Sequence, residues 1–468
     1  MLRTLSRPLV AGVERWLPSA LVFAVVLTGV VAVLALALTD AAPVEVLRGW
    51  GDGLTGLLAF MTQMALILLL GYTLANTRQV GRLLVRAGSL PRTPVQAYAG
   101  VTLAAALGSL ISWGLGLVVG ALLAKEVARQ GRTRGMRLHF PLLVACGYAG
   151  YVVWHMGYSG SGPLAAATPG SFVEEQIGRT IPVTETIFAP WNLLAIVVTV
   201  VVVVAAMASL RPRAEDAVVE LPAAPDDRAA TEQVGSRAGS PAASTRSAAG
   251  ATGQDPAPLT PADRVDRSRV ITTAAGLALA AYLVVYFAQE GFALTLDIVN
   301  WTFLAAILLL VRSPVELGAL VADAARNVGD ILLQFPLYAG ILGIMTTSGL
   351  ITVFSDFFVD LASPTTLGLW AFLSGGLVNM FIPSGGGQFA VQAPVFLQAA
   401  EQLGVAPEVV VMGIAYGDQW TNMIQPFWAL PVLAIAGLGI RDILGYTTIA
   451  LLVTGVVFTG TMLLVGAG

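Results

Sequence analysis

Long apolar runs alternate with short polar segments along the chain, and each run predicts a membrane-spanning segment. A helix needs about 20 residues to cross the hydrocarbon core of a bilayer, so a much longer run must be interrupted. Two runs, 94–124 and 366–400, are that long, and each predicts a helical hairpin or a pair of discontinuous helices. The predicted spans are 18–39, 54–77, 94–124, 140–157, 187–210, 269–288, 298–312, 328–348, 366–400, 409–436 and 444–466.

The first run has an alternative interpretation as a cleaved signal peptide. The small residues of Ala35-Leu36-Ala37 resemble a cleavage site. The apolar part of this run is longer than the roughly 7 to 15 residues of a signal sequence, so we expect a span instead.

Small and polar residues break both long runs at a similar depth. The first break reads SWGLG at 112–116, and the second reads PSGGGQ at 383–388. Backbone that is not helical leaves unpaired amide and carbonyl groups in a bilayer, so it survives only where protein or a water-filled cavity surrounds it. Paired breaks of this kind are typical of the binding site of a transporter.

Composition supports the membrane assignment and narrows the range of partners. Of the 468 residues, 56% are hydrophobic and 11% charged, and the mean hydropathy is +0.79. A net charge of -3 gives a nucleic-acid partner no electrostatic support. The single cysteine, Cys146, excludes an intrachain disulfide framework, and the two histidines form no HExxH motif, so we expect no metal site.

The basic residues predict the orientation of the spans. They cluster at 3–15, 78–92 and 125–137, which we expect to be short cytoplasmic segments, so that the N-terminus is cytoplasmic. Between Arg326 and Arg441 there is no Lys or Arg. Four acidic residues lie in intervening segments that we expect to be external loops: Asp356, Asp360, Glu401 and Glu408. The two halves therefore point in opposite directions.

A polar segment divides the chain into two membrane repeats. Residues 211–267 are rich in Pro, Ala, Gly and Ser, a composition that favours a flexible cytoplasmic linker, with a regulatory role as the alternative. We expect a first repeat at 1–210 and a second at 268–468, the latter with one extra span near 269–288.

Short similarities in the same order indicate an internal repeat. Gly51-Asp52 corresponds to Gly329-Asp330, and Gly147-Tyr148-Ala149 corresponds to Ala415-Tyr416-Gly417. After these come a second pair of irregular patches, 154–163 and 418–426. Chance similarity between glycine-rich helices is the rival explanation, but the shared order and opposite charge bias favour inverted repeats. A two-fold axis in the membrane plane would bring all four patches together.

The residue types at the breaks favour binding of one carboxylate. Glycines permit close approach to the backbone, and a helix that restarts there offers free amides and a partial positive charge. With no Lys or Arg expected near the second break, such donors suit a small monoanion. We expect substrate contacts from Ser112, Trp113, Gly114, Ser159, Ser161, Asn379, Ser384, Gly385, Gly386, Gly387, Gln388, Thr421 and Asn422.

Asp418 is the sharpest candidate for ion coupling. An ionisable group inside a span is costly and usually lies on an ion or proton path. A structural hydrogen bond to a helix end is the alternative. We assign Asp418 and Gln425 to a co-transported proton or sodium ion, and we expect no other cofactor. His155 either titrates or is a packed side chain. Trp113, Trp154, Trp420 and Trp428 either wall the site or anchor spans.

Several long segments resemble the bacterial short-chain fatty acid transporters of the AtoE type, the acetoacetate and butyrate permeases. The resemblance covers nearly the whole chain outside the linker. Its most specific segments are WGDGLTGLLAFMTQMALI (50–67), TPVQ (93–96), SWGLGLVVGALLAKEVAR (112–129), SGSGPLAAATPG (159–170), PSGGGQFAVQAP (383–394) and AYGDQWTNMIQPFWALPVLAIAGLGIRDILGY (415–446). The resemblance implies uptake of short-chain monocarboxylates across a bacterial inner membrane. It also implies the inverted repeats, hairpins and elevator mechanism of the wider ion transporter superfamily.

The sequence therefore predicts an all-α polytopic membrane protein with two inverted repeats and broken helices or re-entrant hairpins. We expect an elevator-type secondary active transporter, not an enzyme, whose partners are a monocarboxylate, the lipid bilayer and a second copy in a homodimer. A cation/proton antiporter and a dicarboxylate transporter of the same superfamily are the alternatives. A lipid-modifying membrane enzyme is a weaker alternative, since the sequence offers no evident base and nucleophile pair. A channel is a third, which would pass solute without accumulation against a gradient.

Overall fold

The apolar runs fold into helices, and no strand occurs in the part of the chain that the structure describes. The computed structural model describes residues 20–213, 216–221, 260–326, 328–380 and 382–466. The predicted all-helical architecture is confirmed for these residues. Arg3, Arg7 and Arg15, used to predict orientation, and residues 222–259 of the predicted linker lie outside them.

The helices follow one another with short connections, and one 3-10 segment at Gly150–Met156 interrupts the first half. In chain order they are α1 (Ala20–Leu38), α2 (Pro43–Gly53), α3 (Leu58–Ala75), α4 (Arg78–Gly88), α5 (Pro94–Ile111), α6 (Trp113–Thr133), α7 (Phe140–Ala149), α8 (Ser161–Ala167), α9 (Phe172–Ile177), α10 (Pro190–Ser209), α11 (Pro261–Asp266), α12 (Arg269–Glu290), α13 (Leu296–Leu310), α14 (Pro314–Ala325), α15 (Gly329–Ser348), α16 (Leu350–Leu361), α17 (Leu367–Asn379), α18 (Gly385–Leu403), α19 (Pro407–Thr421), α20 (Pro426–Ala436) and α21 (Ile440–Gly466).

Both long runs are divided, as the sequence predicts. A single residue, Ser112, separates α5 from α6. In the second run α17 ends at Asn379 and α18 begins at Gly385, so the three glycines form the first helical turn and the gap lies before them. The run 409–436 is divided as well, between α19 and α20, where a proline opens the new helix without needing an amide hydrogen bond.

Several segments that we expected to be loops are amphipathic helices. Arg82 and Arg86 are exposed on one face of α4, whereas Leu84 and Gly88 are buried on the other. The predicted loop residues that lie in helices are Arg78, Arg82 and Arg86 in α4, Lys125, Arg129 and Arg132 in α6, Asp356 and Asp360 in α16, Glu401 in α18 and Glu408 in α19. The amphipathic helix α4 lacks a continuous apolar run, because only one side of each turn is apolar.

Six of the described helices are long and apolar enough to cross a bilayer: α3, α5, α10, α12, α15 and α21. The outward faces of these helices carry large apolar side chains. On α12 and α21, for example, Val284 is 70% exposed and Val456 is 74% exposed. Extended apolar surface of this kind suits contact with lipid.

Close packing of helix backbones holds the first half together. Gly120 of α6 lies directly against Gly147 of α7, so that a Cβ atom on Gly147 would be 2.5 Å from the carbonyl oxygen of Gly120. Small residues at a membrane helix crossing allow this approach. The contact fixes α6, whose first turn contributes to the central site.

The beginning of the predicted linker makes specific contacts with the membrane domain. The amide of Val219 donates to Nδ1 of His139 over 3.0 Å, and the amide of Phe140 donates to the carbonyl of Val219 over 2.8 Å. Arg137 donates to the carbonyl of Asp216 over 3.1 Å. Residues 216–221 are therefore docked beside the start of α7, while the boundaries of the linker stay a prediction.

Candidate functional site

The two breaks meet at one cavity of about 490 Å³, here called the central cavity. The first break contributes Trp113 and Gly114 to its wall, and the second contributes residues 383–386. Ser161 and Trp154 come from the irregular patch 154–163. Segments far apart in sequence are thus brought together, as the paired breaks lead one to expect.

The first break is a single extended residue between two helices. Ser112 has φ -154° and ψ 133°, which ends α5 and starts α6. The amide of Trp113 donates to Oγ of Ser159 over 3.2 Å, so Ser159 supports the break rather than lining the cavity. A Cβ atom on Gly114 would lie 3.4 Å from the amide nitrogen of Tyr72, which shows how closely α6 approaches α3.

The second break repeats this arrangement and leaves two amides open. Ser384 is extended, with φ -150° and ψ 103°, and its Oγ accepts a hydrogen bond from the amide of Gly387 over 3.2 Å. The amides of Gly385 and Gly386 have no hydrogen-bond partner among the described residues. Because the first amides of a helix carry its partial positive charge, this turn of α18 presents a site for an anion.

The glycines of α18 allow this turn to pack against aromatic side chains. A Cβ atom on Gly385 would lie 2.9 Å from Cζ2 of Trp154 and 3.0 Å from Cε1 of His155. On Gly386 it would lie 3.1 Å from Sδ of Met64. Gly387 faces the ring of Tyr338, which a Cβ atom would approach to 2.7 Å at Cε2. Any side chain here would displace the wall of the cavity.

Trp154 provides a rigid wall beside the open amides. Its side chain is 2% exposed, and its ring stacks on Tyr151 with centroids 5.7 Å apart and on His155 with centroids 4.1 Å apart. Its Nε1 is a buried donor with no partner among the described residues. Trp428 also lines the cavity, and its Nε1 is likewise buried with no hydrogen-bond partner among the described residues. The sequence left the role of both tryptophans open.

Asp418 lies behind this wall and pairs with His155. Nδ1 of His155 is 3.1 Å from Oδ2 of Asp418, and Nε2 accepts a hydrogen bond from the amide of Gly162 over 3.0 Å. Since Nε2 is an acceptor, the proton of a neutral imidazole must be on Nδ1, which donates to the carboxylate. Oδ1 of Asp418 is buried without a hydrogen-bond partner in the described structure.

Asn379 joins the end of α17 to α19 next to Asp418. Its Nδ2 is 2.8 Å from the carbonyl oxygen of Asp418, 2.9 Å from Oγ1 of Thr421 and 2.7 Å from Oδ1 of Asn422. Its own Oδ1, and Oε1 of Gln425, are buried with no partner in the described part of the chain. Several oxygens without donors near a carboxylate suit a cation or a proton, because a buried unpaired oxygen is costly.

The predicted site residues fall into two groups. Those that line the central cavity are Trp113, Gly114, Ser161, Ser384, Gly385 and Gly386. Those that lie outside the lining are Ser112, Ser159, Asn379, Gly387, Gln388, Asp418, Thr421, Asn422 and Gln425. Gln388, for example, donates to the carbonyl of Gly375 over 2.7 Å and so fastens α18 to α17. The assignment of substrate contacts stays a prediction.

Arg326 corrects the expectation that the second break has no basic residue near it. It caps the C-terminus of α14 and lines the same cavity as Ser384. The sequence does not place Arg326 near the second break, because it predicts no helix at α14 and the end of α14 approaches the cavity only in the folded chain. Tyr72 and Gln334 also line the cavity, and both lie within predicted spans, where no break or charge distinguishes them.

Comparison with known proteins identifies one family over the whole chain. The family model described as short chain fatty acid transporter matches residues 1–465. A protein of Escherichia coli (strain K12), provisionally named a short-chain fatty acid transporter, is 42% identical over 458 residues, which cover 98% of each chain. A protein of Haemophilus influenzae with the same provisional name is 36% identical over 465 residues, again 98% of each chain.

A solved structure shares the fold. The crystal structure of the Alcanivorax borkumensis YdaH transporter is similar with a TM-score of 0.55 and 17% sequence identity. The superposition covers 96% of this chain and 98% of that chain. The family model and both relatives span nearly the full length, so the chain belongs to the short-chain fatty acid transporter family.

Proposed function

We propose that this protein is a secondary active transporter that takes up short-chain monocarboxylates, such as butyrate and acetoacetate, across the bacterial inner membrane. Membership of the family supports transport of short-chain acids in general. The observation that carries the choice of a monocarboxylate is the first turn of α18, with the open amides of Gly385 and Gly386 beside the buried indole of Trp154.

Neutral donors suffice for a single carboxylate. The two amides and Nε1 of Trp154 donate hydrogen bonds to its oxygens, and hydrogen bonds to a charged group contribute about 1.5–3 kcal/mol each. The rest of the wall is largely apolar and includes Leu117 and Val118, which would contact a short acyl chain. A second carboxylate would meet this apolar wall or the exposed guanidinium of Arg326, whose attraction in water is too weak to offset the burial of a second charge, so a dicarboxylate is disfavoured.

Asp418 supplies the coupling to an ion gradient. Its unpaired Oδ1 takes up a proton or contributes to a sodium site together with Oε1 of Gln425, and the charge of the cation offsets that of the substrate. The imidazole of His155 links the two sites, since it bonds to Asp418 and packs against Gly385. No other cofactor enters the cycle.

The open side of the central cavity supports a cytoplasm-facing state. The exposed Arg326 marks its opening. α4 lies on the same side, since Tyr72, near the end of α3 and shortly before α4, lines the cavity together with Arg326. A side rich in arginine is cytoplasmic by the positive-inside rule.

Alternating access then moves one part of the protein against a scaffold, as an elevator within a homodimer. Inverted repeats are supported by reciprocal contacts. Tyr148 donates to the carbonyl of Asn422 over 2.6 Å, and its proposed counterpart Tyr416 donates to Oδ1 of Asn192 over 2.7 Å. Each tyrosine thus reaches into the other half of the chain.

Uptake into proteoliposomes tests this function. Labelled butyrate, acetoacetate and succinate are supplied under separately imposed proton and sodium gradients. We expect butyrate and acetoacetate to accumulate against their gradients under one of the two, with little uptake of succinate. Preferential accumulation of succinate, or equilibration without accumulation, would refute the proposal, and the second result would indicate a channel.

A cation/proton antiporter is the second candidate, because it would also require the buried Asp418 and His155. Such a protein would exchange cations for protons in vesicles that contain no carboxylic acid. Cation flux that depends on added butyrate distinguishes the proposed symporter from it.

A further inference from the structure

We propose that Arg326 is an anion-capture residue at the mouth of the central cavity, where it receives the carboxylate before the first turn of α18 does. This inference rests on the proposed function and adds to it a second position on the substrate path. It also predicts that the capture step acts from one side of the membrane only.

The guanidinium of Arg326 is available to an incoming anion. Its side chain is 80% exposed, and Oδ1 of its acidic neighbour Asp323 lies 3.7 Å away, on a side chain that is itself 54% exposed. An exposed pair at this separation is weak, so Asp323 does not hold the guanidinium in place. A carboxylate of a substrate can therefore displace or join it.

Arg326 also carries the only permanent charge on the described wall of the central cavity. Tyr72 is the other ionisable residue on that wall, and its phenol is neutral at physiological pH. The deeper donors at Gly385 and Trp154 have no formal charge. A guanidinium at the opening of a cavity with low-dielectric walls attracts anions, although Asp323, 3.7 Å away, offsets part of its charge.

Arg326 and the first turn of α18 suit different steps of substrate binding. The exposed guanidinium binds loosely in high dielectric, so capture and release are fast, whereas the buried amides and indole orient the carboxylate. Apolar residues that line the cavity, such as Leu68 and Ile331, leave the carboxylate no other charged partner. The anion is thus expected to pass directly from Arg326 to α18.

The test compares R326Q with D323N in proteoliposomes of known orientation. Initial rates of butyrate transport are measured from each face at low and high ionic strength. R326Q should raise the half-saturation concentration about fivefold from the face that carries α4, with an unchanged maximal rate, and the difference should shrink at high salt because screening weakens steering. D323N removes only the counter-charge, so the half-saturation concentration should stay the same or fall. R326K keeps the positive charge, so its half-saturation concentration should stay close to that of the wild type.

An equal change from both faces, or a normal half-saturation concentration in R326Q, would overturn the inference. Protein amount and monodispersity of each variant in detergent identify a folding defect, and R326K provides a second, conservative variant. Failure of the proposed function would look different, because wild-type protein would then transport no butyrate at all. If the wild type transports butyrate and R326Q behaves like it, only the capture role is refuted.

Discussion

The imidazole of His155 donates from Nδ1 to Oδ2 of Asp418 across 3.1 Å and thereby joins the two halves of the chain. The backbone amide of His155 adds a second bond to the neighbouring residue, since it donates to Oε1 of Gln419 over 3.0 Å. On the other side of the ring, the amide of Gly162 fixes the tautomer. An aspartate held in this way keeps one oxygen free for a proton or a cation.

Replacement of Asp418 by Asn should uncouple transport from the ion gradient. Asparagine has nearly the same shape but carries no charge and takes up no proton, so butyrate should still exchange without accumulating. Gradient-driven uptake and butyrate counterflow are measured in the same proteoliposomes. Asp442→Asn is the control, since this side chain is exposed and accepts a hydrogen bond from the amide of Gly439 at the start of α21. A wild-type coupling ratio in Asp418→Asn would remove this residue from the mechanism.

A leucine at position 386 should abolish uptake while the protein remains folded. The side chain would press on Phe60 and on Met64, which lines the central cavity, and would displace the wall beside the open amides. Gly460→Leu is the matched control, because a Cβ atom there meets no atom within 4 Å. Uptake is compared at equal amounts of monodisperse protein. Normal transport by Gly386→Leu would show that the first turn of α18 does not receive the substrate.

Phenylalanine in place of Trp154 tests the indole donor separately from the aromatic wall. The ring stacking on His155 is largely kept, but Nε1 is lost, and removal of one charge-assisted hydrogen bond should raise the half-saturation concentration for butyrate roughly tenfold or more. Trp420→Phe is the control, since Nε1 of Trp420 donates to the carbonyl of Leu451 away from the cavity. If both variants show the same half-saturation concentration as the wild type, the indole is structural.

An alanine at position 147 should destabilise the protein without a specific effect on substrate affinity. Its Cβ atom would collide with the backbone of Gly120, and overpacking of a tight contact costs about 1–3 kcal/mol. The melting temperature in detergent should fall, whereas Gly81→Ala, which meets open space on α4, should leave it unchanged. If Gly147→Ala and the wild type had equal melting temperatures, α6 and α7 would have to separate easily to accommodate the methyl group.

Phenylalanine at position 139 should release the docked beginning of the linker. It preserves an aromatic ring next to Tyr446 but removes the acceptor for the amide of Val219. Hydrogen exchange at Val219 should become faster, while exchange in the middle of α7 stays slow. Unchanged protection of Val219 would indicate that the contacts of Arg137 and Phe140 suffice for docking.

The sequence predicts the broken helices well because their cause is local. Ser112 and Ser384 interrupt apolar runs that are too long for one span, and the glycines after Ser384 leave the new helix without bulky side chains. Proximity of the two breaks is expected from the predicted repeat, and the structure places both breaks on the wall of the central cavity. The position of the break at 380–384 rather than 383–387 was not predictable, because glycine is compatible with the first turn of a helix.

Other features of the site become evident only in the folded chain. Arg326 reaches the central cavity through α14, an amphipathic helix without a long apolar run. The pairing of His155 with Asp418 joins two irregular patches, 154–163 and 418–426, whose proximity the predicted repeat leads one to expect, but the repeat does not indicate which side chains pair. The open indole of Trp154 likewise becomes evident only when its neighbours are in place.

Binding of a lone carboxylate at the first turn of α18 can be seen in an experimental structure with bound 4-bromobutyrate, whose bromine marks the end of the acyl chain. We expect a carboxylate within hydrogen-bonding distance of the amides of Gly385 and Gly386, with the bromine against the apolar wall. A carboxylate bound away from α18, or an empty central cavity at saturating ligand, would contradict it.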